Sequence, residues 1–331
     1  MKSVARFVPR SIKNLVPGYR SRWRDAYRAL LAEIAGLYPS IEFGQTGDTP
    51  WIEPKETGLR LHGFWTEGAE LELYENLRPD LPAHLPRTHF RLCKDFVNRY
   101  RYPHLRPDLK PQYPRDQLHG FHGQHKDALV DLPDSSAVEG LTELFRPKPG
   151  EIIIDGGAFL GFGDLRVAAE IGSGHIYAIE AAGACHTLLR QNVEFNKVAN
   201  VTPIHRAVWK ENGTMNLGTT YAQGNSLVTG KVNGFEPSPH AETVGAVTID
   251  TVVDEFGLHR VDMLSFTLNG AEPEAVMGAQ NTLRRFRPRF RAPGRYLRGN
   301  TPISEMLREL LTACGYRVFT GQRGNTIGIP L

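Results

Sequence analysis

Cysteine is scarce in this chain. Its 331 residues hold three, Cys93, Cys185 and Cys314, all far apart. They make neither a zinc spacing nor a disulfide framework, and read as structural thiols of a reducing compartment. A cytoplasmic location is therefore expected. There is no HExxH pattern either. His119, His122 and His125 recur every third residue, with His104 upstream, but no cysteine or clear acidic partner completes a site, so no metal is expected. No apolar run is long enough to cross a bilayer, and the start has no secretory h-region, so neither a transmembrane segment nor export is expected. The GK[ST] ending of a Walker loop and the GxGxxG spacing are also missing, which argues against a nucleoside triphosphate or a standard dinucleotide.

What is present is ordinary globular composition, 40% hydrophobic and 23% charged, enough for one or two domains with a core that needs no staples. The net charge is only +3, yet it is unevenly spread. Lys2, Arg6, Arg10, Lys13, Arg20, Arg22, Arg24 and Arg28 crowd the first thirty residues. Arg284, Arg285, Arg287, Arg289, Arg291, Arg295 and Arg298 form a second basic stretch. Each reads either as a solvated face or as a seat for an anionic partner: phosphate, nucleic acid or, for the N-terminus, a membrane surface.

The chain divides near residue 140. Before it, an N-terminal accessory region or cap (1–140) shows a helical pattern over Arg22–Ile34, a loop-like Pro39–Pro54, and alternation through Leu59, Leu61, Gly63 and Trp65. Short helices are expected at Leu71–Leu77 and Phe90–Tyr100, between many prolines. From residue 141 to 331 strands and helices alternate. Strands are expected at Ile152–Asp155, Ile176–Glu180, Val201–Val208, Val261–Leu268, after Pro288, at Tyr316–Phe319 and at Thr326–Ile329, with a strand-like Met215–Leu217. Helices are expected at Leu165–Ile171, Cys185–Phe195, Thr251–Phe256, Pro273–Arg285 and Ile303–Ala313. That alternation predicts an α/β fold with an open, mainly parallel sheet, whose ligands bind beyond the carboxyl ends of the strands.

Two features sit at such ends. Asp155-Gly156-Gly157-Ala158-Phe159-Leu160-Gly161 follows a strand and precedes a helix. Glycines there let backbone approach a ligand, and N–H groups at the helix start can receive an anion. Glu180 ends the next strand, where a carboxylate can accept both hydroxyl hydrogens of a ribose. Dinucleotide-binding proteins and methyltransferases share that geometry, so Glu180 alone leaves both open.

With Leu188–Asn192, Asn196, Asn200–Val208, Thr248–Asp254, Val261–Leu264, Asn269–Glu272, Gly278-Ala279 and Leu283, these segments resemble the FkbM-type methyltransferases over residues 140 to 330. The resemblance implies a class I, Rossmann-like methyltransferase fold and S-adenosylmethionine as cofactor. It implies that Asp155, Gly156, Gly157, Ala158 and Gly161 line the methionine end, Glu180 holds the ribose and the neighbourhood of Ala207 flanks the adenine. It further implies O-methylation of a hydroxyl on a small molecule or sugar. The chain departs from the family after its fourth strand. A family segment like Lys-Ile-Asp-Val-Glu-Gly reads Ser265-Phe266-Thr267-Leu268-Asn269-Gly270 here, and the strand after Pro288 carries arginines where the family tends to place a glutamate. Thr267 and Asn269 are expected to orient the acceptor by hydrogen bonding, with His205 the candidate base. Tyr221, Asn225 and Ser226 lie in a polar loop with no assigned role. Two alternatives stay open: a methyltransferase of RNA or another anionic substrate, favoured by the arginines, and a cofactor-binding or structural protein that kept the fold without turnover.

Overall fold

The computed structural model describes residues 41–46, 49–55, 58–63, 146–218, 226–228, 241–294, 296–320 and 326–331. The helices expected at 22–34, 71–77 and 90–100 lie outside these residues, as do the basic leader, Cys93, the histidines at 104–125, Tyr221, Asn225 and Arg295. The chain divides into two compact units, Met1–Lys94 and Asp95–Leu331.

In the first unit the described residues form an antiparallel sheet of β1 (Ile41–Thr46), β2 (Thr49–Pro54) and β3 (Leu61–His62). The segment expected as loop is thus a hairpin, with Thr46 opposite Thr49. Its prolines do not forbid this. β3 covers only Trp51 and Ile52, so Pro50 and Pro54 each have a strand neighbour on one side only.

The second unit is built on β4 (Ile152–Gly156), α1 (Phe162–Ile171), β5 (His175–Glu180), α2 (Gly183–Phe195) and β6 (Val201–His205). Next come β7 (Ala207–Val208), β8 (Gly213–Gly218), β9 (Ala241–Val247), α3 (Ile249–Glu255) and β10 (Met263–Phe266). The chain ends through α4 (Glu272–Met277), α5 (Gln280–Phe286), β11 (Arg289–Ala292), β12 (Leu297–Arg298), β13 (Thr301–Pro302), α6 (Ile303–Ala313), β14 (Tyr316–Thr320) and β15 (Thr326–Pro330). The main sheet runs β14-β15-β11-β10-β4-β5-β6. β6, β5, β4, β10 and β11 are parallel, and β15 is antiparallel to both its neighbours. This is the class I, Rossmann-like methyltransferase arrangement.

Strand alternation sorts the side chains onto two faces. Ile154, Leu264, Phe266 and Phe290 share one face and pack in a single core with residues of α3, α4, α5 and α6. Ile153, Asp155, Met263, Ser265, Arg289 and Arg291 point to the other, where α1 lies against β5. Cover on both faces explains why β4 opens with three consecutive isoleucines.

Two further expectations are corrected. The strand expected over Val201–Val208 breaks at Arg206. β6 is an edge of the main sheet, while Ala207 and Val208, both buried, join a small sheet by pairing with Ala246 and Val247 of β9. The helix expected over Pro273–Arg285 is two helices. A side chain at Gly278 would meet the Trp209 carbonyl at 2.2 Å, so the β7–β8 connection packs into the gap, and Asp250 caps α5 through the N–H groups of Asn281 and Thr282. β9, β12 and β13 had no strand signal in the sequence reading. Among the described residues no helix is long and apolar enough to cross a membrane.

Candidate functional site

The carboxyl ends of β4, β5 and β10 converge on the glycine-rich turn. Gly157 adopts φ +85°, and a Cβ there would lie 2.1 Å from the Thr267 carbonyl oxygen. Only glycine lets the β4 turn and the β10 exit touch in this way. Gly161 (φ +75°) precedes α1, and a Cβ there would overlap Leu189 of α2 at 2.4 Å. Asn192 of α2 is fully buried and donates to the Leu160 carbonyl at 2.9 Å, fixing the turn from behind.

The turn's own donors are mostly engaged. Gly157 and Ala158 donate to the Ile179 carbonyl at 2.8 and 3.0 Å, Gly161 to Ala158 at 3.0 Å, and Phe159 to Glu180 Oε2 at 2.8 Å. The turn's backbone is therefore close-packed, with these four N–H groups already engaged. Phe159 holds φ +57°, a region costly for a bulky side chain, and the bond to Glu180 helps keep it there.

Glu180 closes β5. Its Oε1 accepts from Ala182 N at 2.9 Å and its Oε2 from Phe159 N. Burial raises its carboxyl to about 7 against the pull of these N–H groups, which favour the charged form. One strand further out, His205 stands in register with Glu180. Its ring stacks on His186 with centroids 4.8 Å apart, and its Nε2 lies 3.1 Å from the Ala181 carbonyl.

At the end of β10 the chain makes a polar knot. Thr267 N donates to the Gly156 carbonyl at 2.8 Å, and its side chain is exposed. Asn269 sits at φ +53°, a conformation asparagine tolerates better than most residues. Its Oδ1 accepts from the Tyr296 hydroxyl at 2.8 Å and its carbonyl from Ser226 Oγ at 3.0 Å. Glu272, fully buried, accepts from Leu268 N at 2.8 Å and Gly270 N at 2.9 Å, and burial raises its carboxyl to about 7. Arg298 clamps the same loop, donating to the Gly270 carbonyl and pairing with Glu274, each at 2.6 Å. Two polar residues at a strand end, held by a phenol, a hydroxyl and a buried carboxylate, can orient a small polar group.

Residues 155–318 match the methyltransferase FkbM domain. This part of the chain belongs to the FkbM methyltransferase family. The chain is similar in structure to an FkbM methyltransferase from Methylobacillus flagellatus, at 12% identity and a TM-score of 0.40, over 63% of this chain and 57% of that one. It is also similar to precorrin-6y C5,15-methyltransferase from Geobacter metallireducens (15% identity, TM-score 0.36, 66% of this chain and 100% of that one). A third similarity is to Aeropyrum pernix fibrillarin, solved with natively bound S-adenosyl-L-methionine (14% identity, TM-score 0.38, 88% and 98% of the two chains). No curated protein matches the chain.

In the methyltransferase domain Asp155, Gly156, Gly157, Ala158, Gly161 and Glu180 come together, with Thr267 touching Gly157. Ala207 is buried two residues beyond the end of β6. His205 is not brought to Thr267 and Asn269. β4 and β5 lie between their strands, a separation of roughly 14 Å at about 4.8 Å per strand. Tyr296, Glu272, Arg291 and Asp164 were not singled out by sequence reasoning. Tyr296 and Arg291 lay inside a stretch read for its charge and for its departure from the family pattern. That stretch is not a continuous basic face among the described residues. Arg289 is buried against Glu151 at 2.6 Å, Arg291 is buried at Ser265, Arg298 pairs with Glu274, and Arg287 bonds the Leu331 carbonyl.

Proposed function

We propose that this chain uses S-adenosylmethionine to methylate a hydroxyl oxygen on a small molecule or sugar. The observation that carries the cofactor is Glu180, a buried carboxylate at the end of β5, beside a turn stripped of side-chain bulk. Two backbone N–H groups occupy part of its acceptor capacity, about four sites for a carboxylate, and leave room for a ribose diol. In this reading Asp155, Gly156, Gly157, Ala158 and Gly161 hold the methionine end, Glu180 the ribose, and the Ala207 neighbourhood the adenine. Bound there, the cofactor supplies a methyl group activated by its sulfonium. The chain's own residues supply alignment. Thr267 and Asn269 border the reacting end and hydrogen-bond the acceptor hydroxyl, with Tyr296 and Ser226 fixing Asn269. His205 stands at the ribose side and takes no proton from the acceptor.

Calorimetry with S-adenosylmethionine or S-adenosylhomocysteine should give a dissociation constant of roughly 1 to 100 μM, the range of ordinary working concentrations. No heat of binding from either compound at millimolar concentration would sink the proposal. The neutral residues at 265, 267 and 269 favour a second reading, a cofactor-binding protein without turnover. It would be supported by tight binding together with silence across a broad screen of hydroxyl acceptors.

A further inference from the structure

Beneath the glycine-rich turn Asp155 belongs to a charged cluster whose other members, Ser265, Arg291 and Asp164, have no role in the proposal above. Ser265 is in register with Asp155 on one side and Arg291 on the other, so the three side chains rise from one face of adjacent strands. Asp164 descends onto that face from the first turn of α1 and is 1% exposed. Arg291 is also buried. It donates to Ser265 Oγ from Nε at 3.1 Å and from Nη2 at 2.9 Å.

Asp164 lies close enough to Asp155 for the two carboxyl groups to repel each other when both are charged, and a single proton held between them removes that repulsion. Burial, then the Asp155 charge, hold Asp164 well above the usual carboxylate range, while the Arg291 charge pulls it down. Asp164 Oδ1 has no hydrogen-bond partner among the described residues. That is tolerable for the carbonyl oxygen of a protonated acid and costly for a carboxylate. Two carboxyls sharing one proton leave a single negative charge, and one guanidinium balances it. The serine hydroxyl cannot supply that balance. It is short enough to let the arginine reach across from β11. A lysine at 265 would place its cation beside Asp155 from β10 instead.

We infer that Arg291 is a positioning residue whose charge, delivered across Ser265, holds the Asp155 carboxylate under the turn that receives the methionine end of the cofactor. The inference rests on the cofactor reading above.

The test compares the wild type, Arg291→Met, Ser265→Lys and Ser265→Lys/Arg291→Met by thermal melting and by titration with S-adenosylhomocysteine. Arg291→Met should weaken binding by about thirtyfold or more and lower the melting midpoint by about 5 °C or more, as expected when a buried charge loses its partner. Ser265→Lys alone sets two cations against one charge and should also weaken binding. The double variant should bind within about threefold of wild type, because a cation again faces Asp155. A purely packing role for Arg291 would not be rescued by a lysine on another strand. A double variant no better than Arg291→Met overturns the inference, and so does unchanged binding in Arg291→Met. If Arg291→Met does not fold, the double variant decides alone: soluble and binding supports the inference, insoluble overturns it. If the wild type itself does not bind S-adenosylhomocysteine, the cofactor reading fails. The melts then still judge the charge pairing, by whether the double variant recovers the lost midpoint.

Discussion

Glu180 and Asn269 make different demands on their surroundings, and each can be tested alone. Glu180 is useful to a ribose only as a carboxylate, yet burial raises its pKa to about 7. A ligand that donates two hydroxyls binds the charged form, so S-adenosylhomocysteine affinity should rise as pH climbs from 6 to 8 and fall below 7. Glu180→Gln should weaken binding by about 1 to 3 kcal/mol and flatten that pH dependence. A folded Glu180→Gln that keeps the wild-type profile would remove Glu180 from the cofactor site. Asn269 is held both by its left-handed backbone and by its side-chain bond to Tyr296. Substitution by glycine keeps the backbone and removes the amide. With an acceptor that the wild type methylates, Asn269→Gly should lower turnover by roughly tenfold to a thousandfold, the usual cost of losing an orienting contact. Cofactor affinity should change much less. Full turnover in this variant would end the proposed role.

At the level of elements, the site depends on how closely β4 and β10 leave the sheet together. The Thr267 carbonyl occupies the space that a side chain at 157 would need. Gly157→Ala should therefore cost about 3 kcal/mol or more in urea unfolding, from the clash together with the disfavoured φ. A loss under about 1 kcal/mol would mean that the two loops part easily. β11 shows why a charge count misleads on a strand. Arg289 and Arg291 are two residues apart, so both point to one face, and that face is interior. Counted as residues they look like an anion-binding patch; in the sheet one pairs with Glu151 and the other bonds Ser265. Part of the basis for an anionic acceptor is thereby removed, since it rested on these arginines lying together at a surface.

For the whole molecule, every strand of the main sheet falls between residues 152 and 330, while the division into units falls at Lys94. Residues 141–331 as a separate fragment should unfold cooperatively and bind S-adenosylhomocysteine within about threefold of the full chain, as expected of a domain with its own core. An unfolded 141–331 beside a folded 95–331 would move the boundary to Asp95. An unfolded pair of fragments would show that the methyltransferase domain needs the first unit.

The order of strands and helices after residue 150 was legible because its causes are local. Ile152–Ile154, Ile176–Ile179 and the 3.6-residue spacing of Ile303, Leu307 and Leu311 each carry their own period, and a glycine-rich turn between strand and helix marks a ligand edge wherever it occurs. Glu180 was legible for the same reason: it is simply the acidic residue that ends a strand. The partnerships were not legible, because no local rule brings Ser226, Asn269 and Tyr296 to one point or sets Arg291 against Ser265 and Asp155. Strand register and loop return decide those contacts, and both are properties of the closed sheet. Tertiary contact also broke two elements that local periodicity would have continued, at Arg206 and at Gly278, where buried neighbours offered better partners than the next turn of the same element.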